Sequence, residues 1–328
     1  MSQYAYLSEP DPELPQLPRN TDPLPADYIP TLKQVMTNMQ IDRTGLPADS
    51  TYTVENRTIA VDGGEIAIRT FSPIPVADEE PEYPMLVFFH GGGFVGGDLE
   101  LDDVNLRILS VELRLAIVNV DYRLAPEFPF PAGINDCYTA LKWTVEHCKA
   151  LRGSISKGFV VGGISAGGHL TAAVTHRSLK DPFFGKHKIT GNWLQIPGLV
   201  HPAAYPPEYA SELLSYVQNA EAPLLSKAMI DLFYDCLQGP PTHPDVSPLL
   251  ADHTGLPPTY LQVCGLDPLR DEGLLYEGLL REQGIPTRLD IYPGVPHGFH
   301  ATAPTMTAAK KWEADLRAGL KWILAQGL

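Results

Sequence analysis

The sequence has little of what would tie it to a nucleic acid, a metal or a membrane. Of its 328 residues only 24 are Lys or Arg, against 39 Asp or Glu, for a formal net charge of −15. No basic run interrupts this acidic balance, so a phosphate backbone would be repelled overall and no nucleic-acid partner is expected. The four cysteines, Cys137, Cys148, Cys236 and Cys264, form no C-x-x-C, and no histidines cluster at zinc-ligand spacing. They read as reduced, buried thiols of a cytoplasmic protein, although an even count leaves a disulfide open. The N-terminal stretch lacks the basic and apolar regions of a signal peptide. No apolar run approaches the roughly 18 residues a membrane span requires, so a cytoplasmic location is expected.

Proline and glycine are plentiful. There are 32 prolines and 28 glycines, and proline usage is about twice the average of roughly 5%. Many prolines fall in 10–30 and 197–258. The first stretch should wander over a surface until a helix begins at 28–38. The second offers two short amphipathic helices, near 208–218 and 224–237, and reads as a cap; an ordinary long connection is the alternative. The expected division is an N-terminal cap segment (1–50), a core (51–200 and 245–328) and a cap insertion (201–244).

The rest alternates between strand and helix. Segments 51–61 and 65–71 flank Asp62-Gly63-Gly64 and predict a hairpin. The short apolar runs 85–89, 116–121 and 158–162 suit strands covered on both faces, and 194–199, 259–264 and 288–292 continue the series. Amphipathic segments lie at 102–114, 135–151, 166–180, 270–283 and 304–325. In the second of these Cys137, Leu141, Val145 and Cys148 recur at helical spacing. The fold class that follows is α/β: a mostly parallel sheet with helices on both faces, opened by an antiparallel hairpin.

Two glycine motifs carry chemistry. After the run 85–89 comes HGGGFVGG, residues 90–97. Gly91, Gly93 and Gly96 match the dinucleotide-binding G-x-G-x-x-G, whereas His90-Gly91-Gly92-Gly93 matches a loop that holds an oxyanion. A dinucleotide turn needs a helix directly after the glycines. Here the chain instead runs into Asp98, Glu100, Asp102 and Asp103, which would repel a pyrophosphate. The second motif, Gly163-Ile164-Ser165-Ala166-Gly167, is G-x-S-x-G between a strand and a helix. Small neighbours let Ser165 stand exposed at a strained turn, and the following helix points free N–H groups at it.

A serine hydroxyl needs a base oriented by an acid. In hydrolases with this elbow the chain order is Ser, acid, His. His297 follows the strand 288–292 by a short loop and is the expected base, with His300 in reserve. Asp267 leaves the strand 259–264 in the equivalent way and is the expected acid; a helix cap is its alternative role. Asp271 and Glu272 should open the next helix, favourably near its N-terminus.

Taken together, HGGGFVGG, the stretch Asp121-Tyr122-Arg123-Leu124-Ala125-Pro126-Glu127, GISAGG, the segment from Gly265 to Gly273 and His297-Gly298-Phe299 resemble the hormone-sensitive-lipase-like carboxylesterases over about 60–325. The resemblance implies an eight-stranded α/β-hydrolase sheet, a helical cap and hydrolysis of short- to medium-chain acyl esters of small molecules, with no cofactor or metal. It implies Ser165 as nucleophile, Asp267 as acid and His297 as base, with the backbone N–H groups of Gly92, Gly93 and Ala166 as oxyanion donors. Ile164 stands where many members have Asp, and with Phe94 it is a candidate for the substrate pocket. The same fold also hosts lyases, cyclases, acyltransferases and a receptor-like binding module; the receptor lacks a working base, and His297 is present here. A homodimer through the edge of the last strand is a further expectation that no single residue marks.

Overall fold

The computed structural model describes residues 3–17, 19, 23–38 and 44–326; parts of the expected N-terminal cap segment, including 20–22 and 39–43, lie outside the described residues. The strands are β1 (Tyr52–Val61), β2 (Gly64–Pro73), β3 (Met85–Phe89), β4 (Ala116–Asp121), β5 (Phe159–Ile164), β6 (Gly191–Gln195), β7 (Thr259–Cys264) and β8 (Thr287–Tyr292). The helices are α1 (Tyr28–Thr37), α2 (Asp103–Leu113), α3 (Ala132–His147), α4 (Ala166–Lys180), α5 (Ser215–Gln218), α6 (Lys227–Leu237), α7 (Arg270–Glu282), α8 (Phe299–Thr302) and α9 (Thr307–Gln326). Among the described residues no helix is long and apolar enough to cross a membrane.

One eight-stranded sheet runs β1-β2-β4-β3-β5-β6-β7-β8. β2 is antiparallel to both of its neighbours, and every other pairing is parallel. The alternation of side chains along each strand explains how both faces are covered. Met85, Val87 and Phe89 pack on one face against Ile134, Cys137 and Leu141 of α3 and Leu170 and Val174 of α4. Leu86 and Phe88 turn to the other face, against Leu106 and Leu109 of α2 and Leu316, Leu320 and Ile323 of α9. Each side chain of this size, fully buried, contributes roughly 1.5–3 kcal/mol.

The structure moves two expected elements. β6 covers Gly191–Gln195 rather than 194–199. Its polar second residue hides it from an apolar scan; Asn192 is buried, and its Oδ1 accepts from Thr175 Oγ1 at 2.9 Å. The strand cannot run on, since Ile196 is at φ 40° and Pro197 has no N–H. The helix expected at 208–218 is only a single turn at Pro207–Tyr209 and the short α5. The N–H groups of Leu214 and Ser215 are taken by Asp271 Oδ2, at 2.9 and 2.7 Å, instead of a helical ladder. Two residues near the start of the chain are held against the loop after β8. Leu7 is buried, its carbonyl accepts from Gly294 N at 2.8 Å, and Asp11 N donates to Gly294 O at 3.0 Å.

Candidate active site

The site is built at the carboxyl ends of parallel strands, where such sheets gather their ligands. β5 turns into α4 at Ser165, whose φ of 56° and ψ of −118° lie in backbone space that side chains avoid. Such strain costs on the order of 1–3 kcal/mol and persists only where the surroundings over-determine it. Here they do, because no other residue fits the glycines beside it. A Cβ on Gly167 would lie 1.9 Å from Phe89 O, and one on Gly163 would lie 2.4 Å from the Gly167 carbonyl carbon. Ser165 N donates to Gln195 O at 2.8 Å, which ties the elbow to β6.

Asp267 and His297 leave β7 and β8 on adjacent loops held in register by Gly265 N to Tyr292 O at 2.7 Å and Leu266 N to Val295 O at 3.0 Å. His297 Nδ1 lies 2.7 Å from Asp267 Oδ2, and its Nε2 lies 2.8 Å from Ser165 Oγ. Asp267 is 1% exposed and acceptor-only, so Nδ1–H donates to it and Nε2 is left to accept from the serine hydroxyl. The other carboxylate oxygen accepts from Leu269 N at 2.9 Å. His300, the reserve base, is not brought to the serine. It lies in α8 with its ring stacked on Trp312 at 4.6 Å, and burial pushes its imidazole down to about 4.

The glycine loop folds around its own histidine. His90 is fully buried, donates from Nδ1 to Gly91 O at 2.7 Å and stacks on Tyr122 at 4.3 Å. Burial pushes it down to about 4, so it is a neutral brace at pH 7. Gly92 and Gly93 take φ values of 122° and 63°. Gly92 O accepts from Val95 N and Gly96 N, at 3.1 and 3.0 Å. This turn leaves the N–H groups of Gly92 and Gly93 without an acceptor among the described residues, on the wall of the cavity that contains Ser165. Ala166 opens α4, where the helix leaves its first N–H groups unbonded. No helix follows the glycines until Asp103, so the dinucleotide geometry is absent.

Two cavities meet at Ser165. The larger, of about 320 Å3, is lined by His297, Gly92, Ile164, Met36 of α1 and Met229 of α6. The smaller, of about 30 Å3, is lined by Ala166, Phe94, Ile230, Tyr234 and Leu269. Phe233 and Gly93 border both. Ile164 and Phe94 thus border different cavities.

A set of charged side chains, buried or half-buried and not anticipated in these roles, ties the 199–247 segment to the sheet. Asp271 and Glu272 do open α7, but their carboxylates reach outward from it. Glu272 Oε2 accepts from Leu199 N at 2.6 Å and Val200 N at 3.1 Å, and Oε1 accepts from Tyr205 Oη at 2.7 Å. Burial outweighs these bonds and pushes Glu272 up to about 7. At the far end of the segment Arg177 holds Asp245 through two bonds, at 2.9 and 2.6 Å. The charged run Arg270-Asp271-Glu272 after a strand was the available signal, but its partners are distant in sequence.

Comparison with known proteins gives the family. A family model for the alpha/beta hydrolase fold matches residues 86–301. An AB hydrolase superfamily protein of Schizosaccharomyces pombe is 34% identical over 323 residues, covering 96% of this chain and 94% of its own. Carboxylesterase NlhH of Mycobacterium tuberculosis is 34% identical over 281 residues, 82% of each chain. Among solved structures, vibralactone cyclase superposes with a TM-score of 0.88 at 37% identity, covering 98% of this chain and 97% of its own. With the family model spanning the strands and loops that carry Ser165, Asp267 and His297, the chain belongs to the α/β-hydrolase fold family, in its hormone-sensitive-lipase-like carboxylesterase group.

Proposed function

We propose that this protein is a serine carboxylesterase that cleaves short acyl esters of bulkier, largely apolar alcohols through an acyl-enzyme. The observation that carries the reading is the hydrogen-bonded chain from Ser165 Oγ through His297 to Asp267 on the wall of a cavity. His297 Nε2 takes the hydroxyl proton as Ser165 Oγ attacks the ester carbonyl. Asp267 keeps the ring in the required tautomer and stabilises the imidazolium. The N–H groups of Gly92, Gly93 and Ala166 receive the oxyanion. His297 then gives its proton to the departing alcohol, and finally activates the water that releases the acid.

The proton transfer assigns the two cavities. The leaving alcohol must lie beside His297, and His297 borders only the larger cavity of these two. The acyl group then enters the smaller one, which has room for about two water-sized groups. The N-terminal segment 1–50 and the insertion 201–244 act as the cap over these cavities, through α1 and α6. Four free thiols suit a cytoplasmic protein, and the edge strand β8 is the surface through which two copies would pair.

Turnover of p-nitrophenyl acetate through decanoate tests the reading. The shortest esters should turn over fastest, and Ser165→Ala and His297→Ala should each lower kcat by on the order of 10^4-fold or more. Turnover that survives in Ser165→Ala, or no turnover of any ester by the intact protein, overturns it.

A second reading is favoured by the similarity to vibralactone cyclase. The same acyl-Ser165 could be attacked by a hydroxyl on the acyl chain itself, which closes a lactone and returns the proton to Ser165 through His297. Product analysis of a hydroxyacyl ester in isotopically labelled water separates the two: hydrolysis places a solvent oxygen in the acid, and cyclisation places none in the lactone.

A further inference from the structure

The larger cavity beside Ser165 has apolar walls with a single carboxylate among its lining residues, Asp102. Its position in the chain makes its conformation unexpected. Asp102 is the N-cap of α2, where an Asp side chain ordinarily accepts a hydrogen bond from the helix's own N–H groups. It makes no such bond here. Its backbone carbonyl accepts from Leu106 N at 2.9 Å, but the carboxylate makes no hydrogen bond or ion pair with any described residue. The neighbouring Asp103 is fully engaged, by Arg69 Nη1 and Arg107 Nε, each at 2.6 Å. The local arginines therefore serve one carboxylate of the pair and leave the other at the cavity wall.

Asp102 is also held in place relative to the reacting centre. It ends the loop that begins with Gly92 and Gly93, and that loop is pinned midway by Asn119 Nδ2, which donates to Leu99 O at 3.0 Å. Burial, with like-charge repulsion from Glu313, holds its carboxyl up at about 7. Asp102 is half-buried, and a donor arriving with the substrate would displace the water its carboxylate otherwise needs.

We propose that Asp102 is a specificity-determining residue that accepts a hydrogen bond from a hydroxyl or ammonium group on the alcohol portion of the ester. The substrate class is thereby narrowed to mono-esters of diols or of amino alcohols. The inference rests on the esterase reading above, which assigns the leaving alcohol to this cavity.

The test uses matched substrates on the intact protein. Monoacetates of α,ω-diols and of the corresponding amino alcohols, over a series of chain lengths, are compared with their O-methyl counterparts and with n-alkyl acetates of matched length, which carry no donor. At the chain length that reaches Asp102, kcat/KM should favour the free donor by roughly 10- to 100-fold, the range of a hydrogen bond to a charged acceptor. Asp102→Leu should bring that ratio to about one. Asp102→Asn keeps an acceptor oxygen without the charge, so it should retain part of a hydroxyl preference and lose an ammonium preference. Ratios near one at every length in the wild type, or a preference unchanged in Asp102→Leu, overturn the proposal; a carboxylate serving only the α2 dipole would give that result. Turnover of p-nitrophenyl acetate by the wild type reports separately on the esterase reading, so the two failures are distinguishable.

Discussion

Ser165, Asp267 and His297 were legible from the G-x-S-x-G elbow, the Ser–acid–His chain order and their places just past strands that read as apolar runs. His90, Asp102 and Glu272 were not. What matters about each is burial and partnership, and both depend on residues far along the chain. The glycine loop shows the same limit. Its spacing fits two motifs, and only the packing explains why Gly93 must lack a side chain: a Cβ there would sit 2.4 Å from the Phe233 ring. Gly93→Ala should therefore displace a proposed oxyanion donor, lowering kcat on p-nitrophenyl acetate by on the order of 10²–10³-fold with little change in circular dichroism. Retained kcat would contradict this. Glu272 carries a pH prediction. Its carboxyl is raised from 4.5 to about 7 by burial, so the unfolded chain releases that proton at lower pH than the folded one. Stability should then fall as pH rises from about 4.5 to 7 and level off above that, by on the order of 3 kcal/mol from this group. The stability of the wild type relative to Glu272→Gln, measured by urea unfolding, should therefore fall from pH 5 to pH 8. A difference between wild type and Glu272→Gln that stays constant between the two pH values would contradict the assignment; the raised Asp102 and Asp121 and the lowered His90 and His300 are common to both proteins and cancel in this comparison.

At the scale of elements, the central strands and the helices of the core were readable because their periodicity is strong. The elements that differ are those where tertiary bonds override propensity. β6 starts on the buried polar Asn192, and the 208–218 segment gives its N–H groups to Asp271 rather than to a helix. α1 and α6 were expected from sequence, but nothing in their composition says where they lie. In the structure they cover the glycine loop: Cβ atoms on Gly96 and Gly93 would meet Met36 of α1 and Phe233 of α6, at 2.7 and 2.4 Å. Phe233 borders both cavities, so α6 should set the acyl length. In Phe233→Ala the two cavities should merge, and the ratio of kcat/KM for p-nitrophenyl hexanoate over acetate should rise about tenfold, the scale of a few methylenes newly accommodated. An unchanged ratio would show that the acyl chain lies elsewhere.

At the scale of the whole molecule, one sheet delivers the three polar groups from three strands, while segments outside the sheet close over them. The sheet's order follows from short apolar strands alternating with helices. The closure does not, because it depends on contacts distant in sequence, such as the half-buried ion pair Arg177–Asp245 and the buried carboxylate bonds from Glu272 to Leu199 and Val200. In the proposed mechanism all of this serves one covalent event, the transfer of an acyl group to Ser165. Rapid acid quenching of a p-nitrophenyl acetate reaction, followed by mass spectrometry of the digested protein, observes that event directly. An acetyl group on the peptide containing Ser165, formed at the rate of the p-nitrophenol burst and absent in Ser165→Ala, is the predicted result; steady ester hydrolysis with no acetyl group on Ser165 would contradict the account.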